Sequence, residues 1–98
     1  MEQLKEILSK EFGIVNPEIK VLVGEVNRNF LVTSDMDRYI LKESPDHEDV
    51  LNYSGDEMAL LRDLSAKLPG YFQRPIQGKS GDYIIRDLAR GKIYRLLE

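Results

Sequence analysis

The chain contains no cysteine. Disulfides, thiol nucleophiles and cysteine-based zinc sites are excluded together, and a cytoplasmic setting is expected. There is a single histidine, His47, set among Asp46, Glu48 and Asp49. One imidazole without spaced partners makes a poor metal ligand, so a solvated turn position is expected for it. No apolar run approaches the roughly 20 residues needed to cross a bilayer, so no membrane partner is expected. The opening Met1-Glu2-Gln3-Leu4-Lys5 is too polar for a secretory signal. The 14 basic residues are scattered among 17 acidic ones, for a formal net charge of −3. Nucleic-acid binding favours a clustered basic face, so that partner class is not expected either.

What is present suits one small globular domain spanning 1–98. Hydrophobic residues make up 42% of the chain and charged residues 32%, the balance of a sequence with a core and a solvated surface. A chain of 98 residues buries roughly 60–70% of the surface its unfolded form exposes, enough for one modest core.

Leu4, Ile7, Leu8 and Phe12 recur at helical spacing, and Gly13 stands where a C-terminal cap belongs. Pro17 then excludes helix. The alternation of Ile19, Val21 and Val23 with Glu18, Lys20 and Leu22 predicts a half-buried strand. Gly24 to Arg28 is polar and turn-like. Phe30-Leu31-Val32 predicts a second strand, Ser34-Asp35-Met36-Asp37 a hairpin turn, and Arg38-Tyr39-Ile40-Leu41-Lys42 a third strand stopped by Ser44-Pro45. Asp46 to Leu68 is helical in pattern, in one or two pieces, with Met58, Leu61, Leu64 and Leu68 as its apolar stripe and Pro69-Gly70 as its end. A loop containing Pro75 follows, then a tight turn at Lys79-Ser80-Gly81. Asp82–Arg86 and Lys92–Leu96 predict two last strands joined by the turn bearing Gly91. Strands linked by short turns imply an antiparallel sheet. The expected class is α+β: about five antiparallel strands, one main covering helix and a short N-terminal helix.

Asn29-Phe30, Tyr39-Ile40-Leu41-Lys42, Glu57 with the leucines after it, and Tyr94-Arg95-Leu96-Leu97 occur in an order and spacing that resembles the aminoglycoside phosphotransferase and choline kinase-like family, whose fold is related to protein kinases. The resemblance covers the whole chain in element order and implies a kinase-like amino-terminal lobe. It implies that Lys42 supplies a cation to the phosphates of ATP and that Glu57, 15 positions later, pairs with it. The Gly24–Asn29 turn, with Gly24 and Asn29, would cover the phosphates through backbone N–H groups, although a single glycine departs from the protein-kinase pattern. Ile40 shares a face with Lys42 by period two, which makes it the first candidate to meet an adenine ring, with Val32 on the adjoining strand as the second.

Each of these residues has a plainer reading. Most lysines on strands are simply exposed. Ser54-Gly55-Asp56-Glu57 matches a capping box, with Tyr53 and Met58 placed as its hydrophobic staple, so Glu57 could instead start a helix. Asn27 and Asn29 suit turns regardless of any ligand. Asp82 and Asp87 read as residues flanking a strand.

The family's catalytic stretch, His-Gly-Asp with a following asparagine and a metal-binding aspartate, has no counterpart in the chain. The resemblance therefore implies the ATP-binding lobe of a longer phosphotransferase. Such an enzyme moves the γ-phosphate to a hydroxyl of a small metabolite: an aminoglycoside, a choline-like alcohol, homoserine or a hydroxylated amino acid. Its Mg2+ ligands and catalytic residues would lie in a second lobe, and the 98 residues would be inactive alone. The ending Tyr94-Arg95-Leu96-Leu97 leans toward the branch in which the kinase domain can be fused to an aminotransferase. The rival expectation is a non-catalytic α+β binding or interaction module in which Lys42 and Glu57 are surface residues.

Overall fold

The computed structural model describes residues 2–23 and 28–98. The elements run α1 (Glu2–Phe12), β1 (Glu18–Leu22), β2 (Arg28–Ser34), β3 (Asp37–Pro45), α2 (Glu48–Lys67), β4 (Pro75–Ile76), β5 (Ile85–Asp87) and β6 (Lys92–Leu97). Among the described residues the strands form one antiparallel sheet in the order β1-β2-β3-β6-β4, with β5 also pairing β6. The two short strands share one edge of β6: β4 meets Leu96 and Leu97, and β5 meets Lys92 to Tyr94.

The expected α+β class is the one observed, with β4 as the added strand. Two residues beginning with proline carry too little pattern to announce a strand, and proline is tolerated there because β4 lies at the sheet edge.

The division of labour between the helices differs from expectation. The short α1 covers the main core. Leu4, Ile7 and Leu8, spaced to share one helix face, pack with Phe30, Val32, Leu41, Ile85, Tyr94 and Leu96 in one buried cluster. Gly13 ends α1 as expected: its φ of 72° is favourable for a residue without Cβ, and it turns the chain so that the Ile14 N–H reaches the Leu8 carbonyl at 3.0 Å. The predicted alternation in β1 holds only at Ile19, which packs against this core. Val21 and Val23 are exposed, because β1 is the other edge of the sheet.

Helix α2 lies against the opposite face and is one unbroken helix. His47 is its N-cap, with Nδ1 accepting the Asp49 N–H at 3.2 Å. Glu48 and Asp49 follow in the first turn, where the helix dipole favours acids, and Lys67 lies in the last. The capping-box reading of Ser54 to Glu57 is therefore overturned. Ser54 sits two turns inside the helix, where backbone N–H groups are committed to the i→i−4 ladder. Ser54 and Met58 are the buried residues of α2. Of the expected apolar stripe, Leu61 and Leu64 are half-buried and Leu68 is exposed.

Candidate functional site

Register decides which side chains share the α2 face of the sheet. Lys42 in β3 is directly opposite Asn29 in β2 on one side and Arg95 in β6 on the other. Antiparallel partners project to the same face, so these three form one polar row across three strands. Two residues along, Leu31, Ile40, Leu97 and Pro75 form a second, apolar row across β2, β3, β6 and β4. Leu97 is buried, whereas Leu31 and Ile40 are half-buried.

Glu57 reaches this polar row from α2. Its Oε1 lies 3.7 Å from the Lys42 ammonium and accepts a hydrogen bond from Arg95 Nη1 at 2.5 Å. The Lys42 and Glu57 side chains are 23% and 24% exposed and that of Arg95 is 2% exposed. One carboxylate oxygen thus faces a solvent-accessible cation and a buried one. Arg95 Nη2 also approaches Ser44 Oγ at 3.5 Å. The Asn29 side-chain oxygen is buried without a hydrogen-bond partner among the described residues, as is Arg95 Nε.

The reverse side of the same strands carries a separate polar group. Glu43 and Tyr94, each one residue along from Lys42 and Arg95, are register partners. The Tyr94 hydroxyl donates to Glu43 Oε2 at 2.9 Å, and Arg28 Nη1 donates to Oε1 at 3.3 Å. Burial, then the hydrogen bond and charge of Glu43, push the Tyr94 phenol well above its ordinary range. Arg28 also lies over the Phe30 ring, 5.3 Å from its centre.

The sequence-predicted residues fall into three groups. Lys42, Glu57, Ile40 and Asn29 come to one face. Gly24 and most of its turn lie outside the described residues. Val32 is misplaced: it pairs with Tyr39, not Ile40, and is fully buried in the α1 core. Leu31 takes the position on the Lys42 face that Val32 was expected to hold. Asn29 differs from expectation in being a strand residue and not part of a turn.

Arg95 was missed. Its signal was an arginine inside the otherwise apolar Ile93-Tyr94-Arg95-Leu96-Leu97: a charge in a strand buried on both faces requires a counter-charge.

The arrangement divides by chemistry. The polar row presents a cation to an anion, and the apolar row beside it offers a surface to a flat apolar group. Among the described residues no three acidic or histidine side chains gather as a metal-binding group.

No family model matches the chain, and no curated protein matches it. Among solved structures it is similar to spectinomycin phosphotransferase, APH(9)-Ia, in complex with ADP and spectinomycin, with a TM-score of 0.73 at 16% identity. The match covers 98% of this chain and 28% of that one, so the chain spans little more than a quarter of that enzyme's length. At this identity the likeness speaks to the fold, and the fold it establishes is the α+β architecture of a kinase-like amino-terminal lobe.

Proposed function

We propose that the chain is the ATP-binding lobe of a phosphotransferase that moves a γ-phosphate to a hydroxyl of a small metabolite. The observation that carries this reading is the Lys42–Glu57 pair, assembled on the same sheet face as the apolar Leu31–Ile40–Leu97 row. A lysine on a rigid strand, oriented by a helix glutamate, is how kinase folds present a cation to the nucleotide. The neighbour's complex with ADP supports the same assignment.

In this reading Ile40 and Leu31 receive the adenine, Lys42 meets the phosphates and Glu57 orients Lys42. The residues present fit a nucleotide, with a half-exposed cation beside half-buried apolar side chains. Bound Mg2+ would neutralise phosphate charge; its carboxylate ligands, and the group that deprotonates the acceptor, belong in this reading to a second lobe. The spectinomycin bound by the neighbour makes an aminoglycoside one acceptor class. Choline-like alcohols, homoserine and hydroxylated amino acids are the others, and a fused aminotransferase domain and a cytoplasmic setting belong to the same proposal.

The test is an NMR titration of the 98-residue chain with Mg-ATP. Shifts concentrated at Leu31, Ile40, Lys42, Glu57 and Leu97, and absent from α1, are expected. Shifts centred on the α1 face, or a spectrum unchanged by ATP, would refute the nucleotide site and leave a binding module of another kind.

A further inference from the structure

Arg95 introduces a charge relationship that a lysine–glutamate pair alone does not have. A carboxylate facing one lysine cancels it, and the site is then neutral toward an incoming phosphate. Here two cations face one carboxylate oxygen, Arg95 Nη1 at 2.5 Å and Lys42 Nζ at 3.7 Å. The three-group cluster carries one net positive charge.

The roles of the two cations are set by burial. The Arg95 side chain is 2% exposed, and an uncompensated buried guanidinium is strongly unfavourable. The demand for a counter-charge therefore holds the Glu57 carboxylate inward whether or not a ligand is present. Lys42, 23% exposed and farther from the carboxylate, is the cation free to turn outward. In kinase folds the helix carrying the glutamate can swing away and break the pair, and its position controls activity. A second, buried anchor on β6 opposes that movement.

We propose that Arg95 is a positioning residue for the phosphate site: by taking a share of the Glu57 carboxylate it keeps α2 docked and leaves the Lys42 ammonium uncancelled toward an anionic ligand. The proposal rests on the nucleotide-binding reading and adds to it the residue that sets the charge of the site. Arg95 itself lies on β6 beneath α2 with its side chain only 2% exposed, which assigns it a role through Glu57 and not through direct contact with a ligand.

The test compares Mg-ATP with adenosine on the 98-residue chain, using NMR titrations of the wild type, Arg95→Met and Arg95→Lys. Adenosine reports the apolar row alone, and ATP reports the apolar row together with the cation. Arg95→Met is expected to weaken ATP binding by about tenfold while leaving adenosine binding unchanged. Arg95→Lys, which restores the charge, is expected to recover most of the ATP affinity. A merely structural role would move both ligands together. Equal losses for the two ligands, or undiminished ATP affinity in Arg95→Met, would overturn the proposal. Wild-type chain that binds neither ligand would overturn the nucleotide reading itself, a failure visible before any substitution is made.

Discussion

Lys42 and Arg95 stand opposite each other on neighbouring strands and point at the same oxygen of Glu57. Like charges directly across a sheet repel, so this row is stable only while α2 brings its carboxylate over it. The Glu57 interaction is thus a stability determinant as well as a site feature. Glu57→Gln should destabilise the chain by about 3 kcal/mol, because it strands the Arg95 guanidinium in a buried position. Adding Arg95→Met to Glu57→Gln should recover most of that loss, since the unpaired charge is then gone. Urea denaturation of the single and double variants checks both. Additive losses in the double variant would mean that the two side chains contribute independently.

The phase of β2 separates core from cleft, and two adjacent residues test it. Val32 is fully buried under α1, whereas Leu31 is half-buried on the Lys42 face. Val32→Ala should cost about 2 kcal/mol through lost burial and a residual cavity, with ATP affinity retained by the protein that stays folded. Leu31→Ala should reverse the pattern, costing about 1 kcal/mol or less while weakening both ATP and adenosine. Denaturation midpoints alongside the two titrations decide it. Loss of nucleotide binding in Val32→Ala alone would return the adenine surface to the other face.

That pair also shows where sequence stops being legible. The order of elements apart from β4, the Asp35–Met36 turn, the Gly13 cap and the meeting of Lys42 with Glu57 could be read from periodicity, turn chemistry and family resemblance. The phase of Phe30-Leu31-Val32 could not, because three consecutive apolar residues carry no alternation and only pairing with Ile40 and Tyr39 assigns their faces. Ser54-Gly55-Asp56-Glu57 misled for a related reason. A capping box is a local pattern, and it was outcompeted by an earlier start at His47, where Glu48 and Asp49 fit the helix dipole better. Arg95 stands out locally as a charge in an apolar strand, but its partner Glu57 is fixed only by the docking of α2, which no window of local sequence contains.

Glycines at two places should respond to the same substitution in opposite directions. A Cβ on Gly78 would lie 3.0 Å from Ile85 Cδ1, 3.2 Å from the Glu11 carbonyl and 3.3 Å from the Asp82 carbonyl. Two of these neighbours are backbone, the Glu11 carbonyl being in α1 itself, and the loop bearing Gly78 is tied to that helix by the Lys79 N–H to Glu11 carbonyl bond at 2.6 Å. Gly78→Ala should therefore destabilise by about 1–3 kcal/mol through overpacking. Gly55 is inside α2 with nothing within 4 Å of a new Cβ, so Gly55→Ala should stabilise by about 0.5–1 kcal/mol through helix propensity. Thermal melts of the two variants check the opposition. A destabilised Gly55→Ala would mean that α2 is not continuous through that position.

The buried Tyr94–Glu43 bond predicts how stability falls at alkaline pH. Burial and the Glu43 carboxylate raise the Tyr94 phenol above its unfolded value, so the folded state favours the protonated form. The sign follows by linkage. The contribution is complete while pH stays below the ordinary tyrosine pKa of about 10, and it is lost as pH climbs from there toward the folded value. Tyr39 is shifted in the same direction, first by its own burial and then by the nearby Asp37 charge, so the informative quantity is the difference between wild type and Tyr94→Phe. Below about pH 10 the wild type should be the more stable of the two, because the variant removes the hydroxyl that donates to the buried Glu43 carboxylate. Above it the gap should narrow steadily. Urea midpoints measured across that range test the claim, and curves that run parallel would show that the phenol does not carry the alkaline transition.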